Sequence, residues 1–449
     1  MPKIDYNYKD PVILILTFSM KKISFFVMLF MAFSMTTFVA CDSSDDGDST
    51  EQNDGNNGGE DGENGGGNGP SADAQKQKLE SIANDLMGKV SVNDFRNITD
   101  LFDYVDRMTT DESAVEDWFE SCSDACELSG STASDTRYLW RASNFYGQFE
   151  LQNGRWVKTG SAPNLSFKFR DSNNRECVLL VTHSGKDTKV HHDEFDDENW
   201  YYNPYGYYTE RVENAFMIPE NINVTLTQGG TQLASATAKT TLSISDPDGE
   251  VRLSTDRAEV TTTVRVNDYT FVVDNAAVNA GSSASLSARF QKGSETLFST
   301  KVQAAGYTNS DEEVTVKNAT VTTEVLGSRL RIAGTVSDVS RFSDYIKEAN
   351  NNEYDENRFK TAIERANSLL DVKVYFDGGA ASSSTIKLCP VVDTDYYYGY
   401  SEVWTFGPAF YFSDGTSSSL FEDYFDDDVF EDIIERFERL MDDFIDLVE

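Results

Sequence analysis

The run NINVTLTQGGTQLAS, residues 221–235, decides the fold class. Val224 and Leu226 alternate with threonines, Gly229-Gly230 interrupts them, and Leu233 follows on the return. Alternation at period two is the spacing of a half-buried strand. A glycine pair supplies the positive φ angles that a tight hairpin needs. Downstream, Asp246-Pro247-Asp248-Gly249 predicts a second turn, between Leu242/Ile244 and Val251/Leu253. Val260, Val264, Val266, Tyr269, Phe271 and Val273 supply further strands, rich in the Val and Thr that suit a pleated, half-buried surface. Upstream, Leu165, Phe167 and Phe169 alternate with polar residues, and Val178 to Val181 form a continuous apolar run.

The same turn chemistry returns along the chain. Residues 228–235 (QGGTQLAS) echo 291–299 (QKGSETLFS), and Asn275-Ala276-Ala277-Val278 echoes Asn318-Ala319-Thr320-Val321. The two spacings differ, which excludes a solenoid and fits a long antiparallel meander from about 137 to 340.

Helical periodicity flanks the meander. Leu79, Ile82, Ala83, Leu86 and Val90 follow 3.6-residue spacing, as do Phe95, Ile98, Leu101, Phe102 and Val105. Val115, Trp118, Phe119 and Cys122 continue a third stripe, with Asp111 or Ser113 as its cap. Residues 342–370 return to helix through Phe359, Ala362, Ile363, Ala366 and Leu369. Short strands are predicted near 372–376, 385–392, 402–406 and 409–412. A last helix from about 428 presents Ile433, Phe437, Leu440 and Phe444 as a stripe to be docked.

Helices, then a run of strands, then helices with a few strands make an α+β fold. The expectation is a large, twisted antiparallel β-meander, half-barrel or sandwich-like, with N-terminal and C-terminal helices packed on one face. The body, residues 72–449, exceeds the roughly 250–300 residues at which single cores stop growing, so two lobes or one very extended sheet are expected.

The N-terminus carries an address. Met20-Lys21-Lys22 begins a basic region, Ile23 to Val39 is an apolar run, and Phe38-Val39-Ala40-Cys41 ends in small residues before a cysteine. This resembles the bacterial lipoprotein signal, and the acidic stretch Asp42 to Asp48 resembles the surface-export signal of Bacteroidetes lipoproteins. The resemblance implies that residues 1–40 are a signal peptide, that Cys41 is acylated, and that the body is anchored at the outer membrane, facing the cell exterior. Residues 1–19 precede the natural-looking start at Met20. Residues 41–71 are almost wholly Gly, Asn, Asp, Glu and Ser, too polar to offset chain entropy, and read as an acidic stalk.

Lys plus Arg number 38 against 76 Asp plus Glu, a formal charge of −38, which repels phosphate backbones and argues against nucleic acid as a partner. With Cys41 lipidated, Cys122, Cys126, Cys177 and Cys389 remain, an even number whose pairing sequence cannot choose. The EF-hand-like register of Asp42, Ser44, Asp46 and Gly47 meets Asn53 where a bidentate Glu belongs, so calcium is not expected.

No phosphate loop, zincin helix or nucleophile elbow is present. Neither catalytic residues, nor a metal, nor a cofactor is predicted. His191-His192-Asp193-Glu194 matches no standard metal spacing and reads as a solvated loop. Two tyrosine-rich stretches offer the one candidate ligand surface, through Trp200, Tyr202 and Tyr205 in the first and Tyr397, Tyr400 and Trp404 in the second. Aromatic faces rimmed by Asp and Asn can stack sugars, and the same rings can instead cap the edges of a core. The reading is a non-enzymatic surface lipoprotein held to the membrane through Cys41, binding an extracellular glycan or protein. Its alternatives are an envelope lipid carrier whose curled sheet encloses an apolar cavity, and a glycan hydrolase.

Overall fold

A computed structural model of the chain describes residues 71–129, 131, 135–197, 210–249, 251–252, 254–308, 314–395, 401–414, 418–425, 432–436 and 438–439. Cys41, the signal peptide and most of the stalk lie outside these residues, as do both tyrosine-rich stretches apart from Trp404. The chain divides into two compact units.

The first unit holds helix α1 (Ala72–Lys89), the short 3-10 turn Val92–Asp94 and helical residues 432–436. Ser71 caps α1 by accepting from the Ala74 N–H at 3.3 Å, while Asp73 and Lys89 sit at the ends that suit the helix dipole. Ile82, Val90, Val92 and Phe95 are buried. Arg436 donates to the Asn84 side-chain oxygen at 2.6 Å, joining the C-terminal helical residues to α1. There Ile433 is half-buried and Ile434 is 50 % exposed, so only part of the predicted stripe is covered among the described residues.

Helix α2 (Arg96–Met108) leads into the second unit, where α3 (Ser113–Asp124) and a large mixed α+β assembly follow. Its strands are β1 (Asp135–Arg141), β2 (Gly147–Gln152), β3 (Arg155–Gly160), β4 (Leu165–Arg170), β5 (Glu176–Asp197) and β6 (Glu210–Gln228). Then come β7 (Thr231–Ser243), β8 (Arg257–Val266), β9 (Tyr269–Asn279), β10 (Ser283–Lys292), β11 (Glu295–Thr308), β12 (Val314–Val325) and β13 (Leu330–Val336). Helices α4 (Val339–Asn350) and α5 (Glu356–Leu369) precede β14 (Leu370–Phe376), β15 (Ser384–Asp395), β16 (Ser401–Phe412), β17 (Ser418–Leu420) and the short α6 (Phe421–Phe425).

The strands belong to one sheet, mostly antiparallel and not closed on itself. From β4 to β15 each strand pairs with its sequence neighbour, the signature of a meander. The parallel exceptions are β1 on β6 and β2 on β4.

At one end of this meander the hairpin turns are tied in series. Gly229 donates its N–H to Glu176 O at 2.7 Å, Asn267 to Leu233 O at 2.9 Å and Gly293 to Asp268 O at 2.7 Å. Gly327 donates to Thr296 O at 3.1 Å and Gly378 to Ser328 O at 3.0 Å. Each turn thus satisfies a carbonyl of the preceding hairpin, so the shared turn chemistry in the sequence has a common structural use. The turns need left-handed backbone: φ is +83° at Gly230 and +51° at Asn267, positions open to Gly and Asn and disfavoured for branched residues.

The structure departs from the sequence expectation in four places. The turn at Asp246–Gly249 is part of a longer connection, because β7 stops at Ser243 and β8 starts only at Arg257. Its organiser is Asp256, which is buried and accepts from the Ser245 N–H at 2.7 Å and the Arg252 N–H at 2.8 Å. The helical region 342–370 is two helices, since Asp355 caps a new start by accepting from the Arg358 N–H. Residues 402–406 and 409–412 lie in one strand, β16, that runs through Gly407-Pro408. Finally, His191 is in β5, not in a solvated loop.

Candidate binding face

Side chains alternate across a strand, so the registers of neighbouring strands sort the residues of the sheet onto two faces. One row in register reads Phe271, Phe290, Phe298, Val325, Leu330 and Phe376 from β9 to β14. The next is Val273, Ala288, Thr300, Thr323, Ile332 and Val374, then Ala276, Leu286, Val302, Val321, Gly334 and Val372. A fourth consists of Val278, Ala284, Ala304, Ala319, Val336 and Leu370. Strands β8 and β7 extend the rows with Val264, Thr262, Val260 and Ala258, opposite Ala236, Ala238, Thr240 and Leu242. None of these positions carries a charge.

The opposite face is polar. Lys239, Glu259, Arg265, Arg289, Lys301 and Glu324 lie on it, among serines and threonines. Arg289 and Asp274 pair there at 3.2 Å, both about two-fifths exposed, which makes them a solvated pair of small energetic weight.

Burial grades along the uncharged face. In the first row Phe290, Phe298, Val325 and Phe376 are buried, at the end where the hairpin turns are linked. In the second and third rows Ala288, Thr300, Gly334, Val372 and Val374 are buried as well, Leu286, Val302 and Val321 are half-buried, and in the fourth row Ala284 is exposed. On β7 and β8 none of the apolar residues is buried. With strands about 4.8 Å apart and a rise of about 3.4 Å per residue, the eight strands β7–β14 present a patch roughly 34 Å by 20 Å. Exposed apolar patches beyond a few hundred Å² mark interaction sites in folded proteins, and here the uncovered part lies toward β7, β8 and the alanine row.

Helices cover apolar side chains toward both margins of this sheet. Trp118 of α3 meets Phe149 of β2 edge-on at 5.2 Å, and Phe149 stacks on Phe167 of β4 at 5.3 Å. The Trp118 indole N–H donates to Tyr146 O at 2.9 Å, so its one polar group is satisfied. At the other margin Ala349, Phe359, Ala362 and Ile363 of α4 and α5 form a buried cluster with Ile346, Leu388, Trp404 and Phe406 against it.

The predicted site residues fall unevenly. Trp200, Tyr202, Tyr205, Tyr397 and Tyr400 lie outside the described residues. Trp404 is half-buried in β16, its ring 6.4 Å from that of Phe359, with the Lys360 ammonium 4.2 Å from its centroid. Its backbone N–H donates to Glu353 O at 2.7 Å. The ring therefore already has partners on α5.

His191 Nε2 lies 3.1 Å from Glu213 Oε1 across the β5–β6 pair, with its side chain 11 % exposed. Its Nδ1 is buried and has no hydrogen-bond partner, so no open ligand position faces solvent. Among the described residues no group of three or more His, Cys, Asp or Glu side chains could hold a metal ion. No described helix is long and apolar enough to cross a membrane. Cys122, Cys126, Cys177 and Cys389 are free thiols, the first three buried. Burial pushes the Cys122 and Cys177 thiols above their usual range, which suppresses thiolate chemistry there.

The uncharged face was missed by motif reading because no short motif encodes it. Its only sequence signal is the alternation itself, summed over eight strands whose register the sequence does not print. In comparison with known proteins, the chain matches no family model, no curated protein and no solved structure.

Proposed function

We propose that this chain is a non-enzymatic, membrane-tethered binding module whose ligand is an apolar or amphipathic molecule seated on the uncharged face of its sheet. The observation that carries the reading is the set of four rows across β7–β14, free of charge and only partly buried. An envelope lipid carrier accounts for such a face better than a glycan binder does, because sugars need polar groups beside each ring and these rows offer only a few threonines. In this reading the sheet curls into a half-barrel with its helices gathered on the apolar side. The packing of Trp118 on Phe149 and of the α5 cluster around Leu388 supports it.

The tether is the lipid on Cys41, at the outer membrane and facing the exterior, on the strength of the apolar run, the small residues before Cys41 and the acids after it. Two or more acyl chains at about 0.8 kcal/mol per buried methylene hold a protein almost permanently. Glycan binding through the tyrosine-rich stretches is the competing reading. Purified full-length protein, extracted with organic solvent and analysed by mass spectrometry, is expected to yield co-purified lipid, reduced in the variant Val264→Lys. Lipid-free protein that binds on a glycan array, with loss in Trp200→Ala, would select the competitor.

A further inference from the structure

Resting on the reading of the uncharged face as a lipid seat, the geometry points to its occupant and orientation: acyl tails of a neutral or zwitterionic lipid, lying along the strands with their methyl ends against the Phe271–Phe376 row.

Charge selects the occupant. At a formal −38, a second copy of this chain or an anionic polymer is repelled before any apolar contact forms. A neutral or zwitterionic lipid carries no such penalty, and its tails leave no polar group to satisfy against rows that offer only threonine hydroxyls. The burial gradient selects the orientation. In the first row Phe290, Phe298 and Phe376 are buried, whereas Ala284 at the far end is exposed, so a tail laid along the strands has its open end at the alanine row. Alanines between the two ends, Ala276, Ala304 and Ala319, keep the side chains short there, whereas at Gly334 the space is already filled by Val321 and Val372.

Length agrees as well. From Phe290 to Ala284 is a rise of about 20 Å at roughly 3.4 Å per residue. One leaflet's tails occupy about 15 Å, half of a hydrocarbon core roughly 30 Å thick. The aromatic row is therefore a ruler: it sets the longest tail that the face can seat.

Displacement of the neutral dye N-phenyl-1-naphthylamine from the full-length protein by lysophosphatidylcholines of increasing chain length tests this. Affinity is expected to rise about threefold to fourfold per added methylene until the tail meets the aromatic row, and then to stop rising. Phe298→Ala, and the milder Leu330→Ala at a half-buried member of the row, should each move that stop to longer chains. Wild-type protein that releases no dye at any chain length sinks the lipid reading itself. Binding with an unchanged stop, in whichever of the two variants keeps the wild-type circular dichroism spectrum, sinks only the ruler.

Discussion

Asp171 shows what single buried residues do in this protein. Its carboxylate accepts from the N–H groups of Asn173 and Arg175 at 2.9 and 2.7 Å, from Arg175 Nε at 2.7 Å and from Gln228 Nε2 at 2.8 Å. Burial pushes its pKa up, but the Arg175 and Asn173 donors and the guanidinium charge outweigh that and hold it below the usual carboxylate range. Asp256 repeats the arrangement in the β7–β8 connection. Burial again raises its pKa, and the Arg252 N–H, the Ser245 N–H and hydroxyl, and Thr255 together lower it further. A depressed folded-state value means that both acids stabilise in full above their unfolded pKa of about 3.9 and lose that contribution as pH falls through the folded value. Thermal melts are therefore expected to be flat from neutral pH to about 5 as far as these two acids are concerned, then to drop more steeply in wild type than in Asp171→Asn. At neutral pH Asp171→Ala should cost about 1–2 kcal/mol, because it removes the acceptor of four part-buried hydrogen bonds whose donors water can partly satisfy. Thiol labelling reads another residue-scale property. In native protein Cys389 should be alkylated first, with Cys122, Cys126 and Cys177 reacting only in denaturant, as peptide mass spectrometry will report.

Elements were legible in the sequence wherever a period was repeated. The three N-terminal stripes became α1, α2 and α3, and the diglycine at 229–230 became the β6–β7 turn. What failed were the ends and the exceptions. Asp355 starts a second helix inside the single helical region expected over 342–370, and β16 carries Pro408 inside a strand. His191 lay in a stretch rich in acids that looked solvated, yet β5 runs through it because β6 supplies a partner for the whole length. Strand pairing over long separations overrides local composition in this way. One pair of substitutions separates solvated strand surface from helix core. Thr263→Lys, on the polar face, should shift stability by no more than about 0.5 kcal/mol in urea titration, whereas Ile363→Ala in the α5 cluster should cost about 2–5 kcal/mol. An equal effect of the two would refute the assignment of buried and solvated surfaces.

At the scale of the whole molecule, the α+β class and the antiparallel meander could be read from the chain because alternation, turn residues and helical stripes are local properties. So could the acidic balance of 76 Asp plus Glu against 38 Lys plus Arg. The candidate aromatic surface lies outside the described residues except at Trp404. Trp404 looked like a ligand platform in sequence and is engaged by Phe359 and Lys360, partners that lie some forty residues earlier in the chain. The uncharged rows, by contrast, were present in the sequence as ordinary strand alternation, and only the register of each strand against the next reveals that Phe271, Phe298 and Phe376 stand in one line. A slip of one residue in any pairing would scatter that line across both faces. Local pattern thus fixes which residues a strand turns to the same side, since that depends on backbone geometry alone. Which strands join those sides into one surface, and how far something else buries it, depends on contacts between distant segments, and the fold alone decides it.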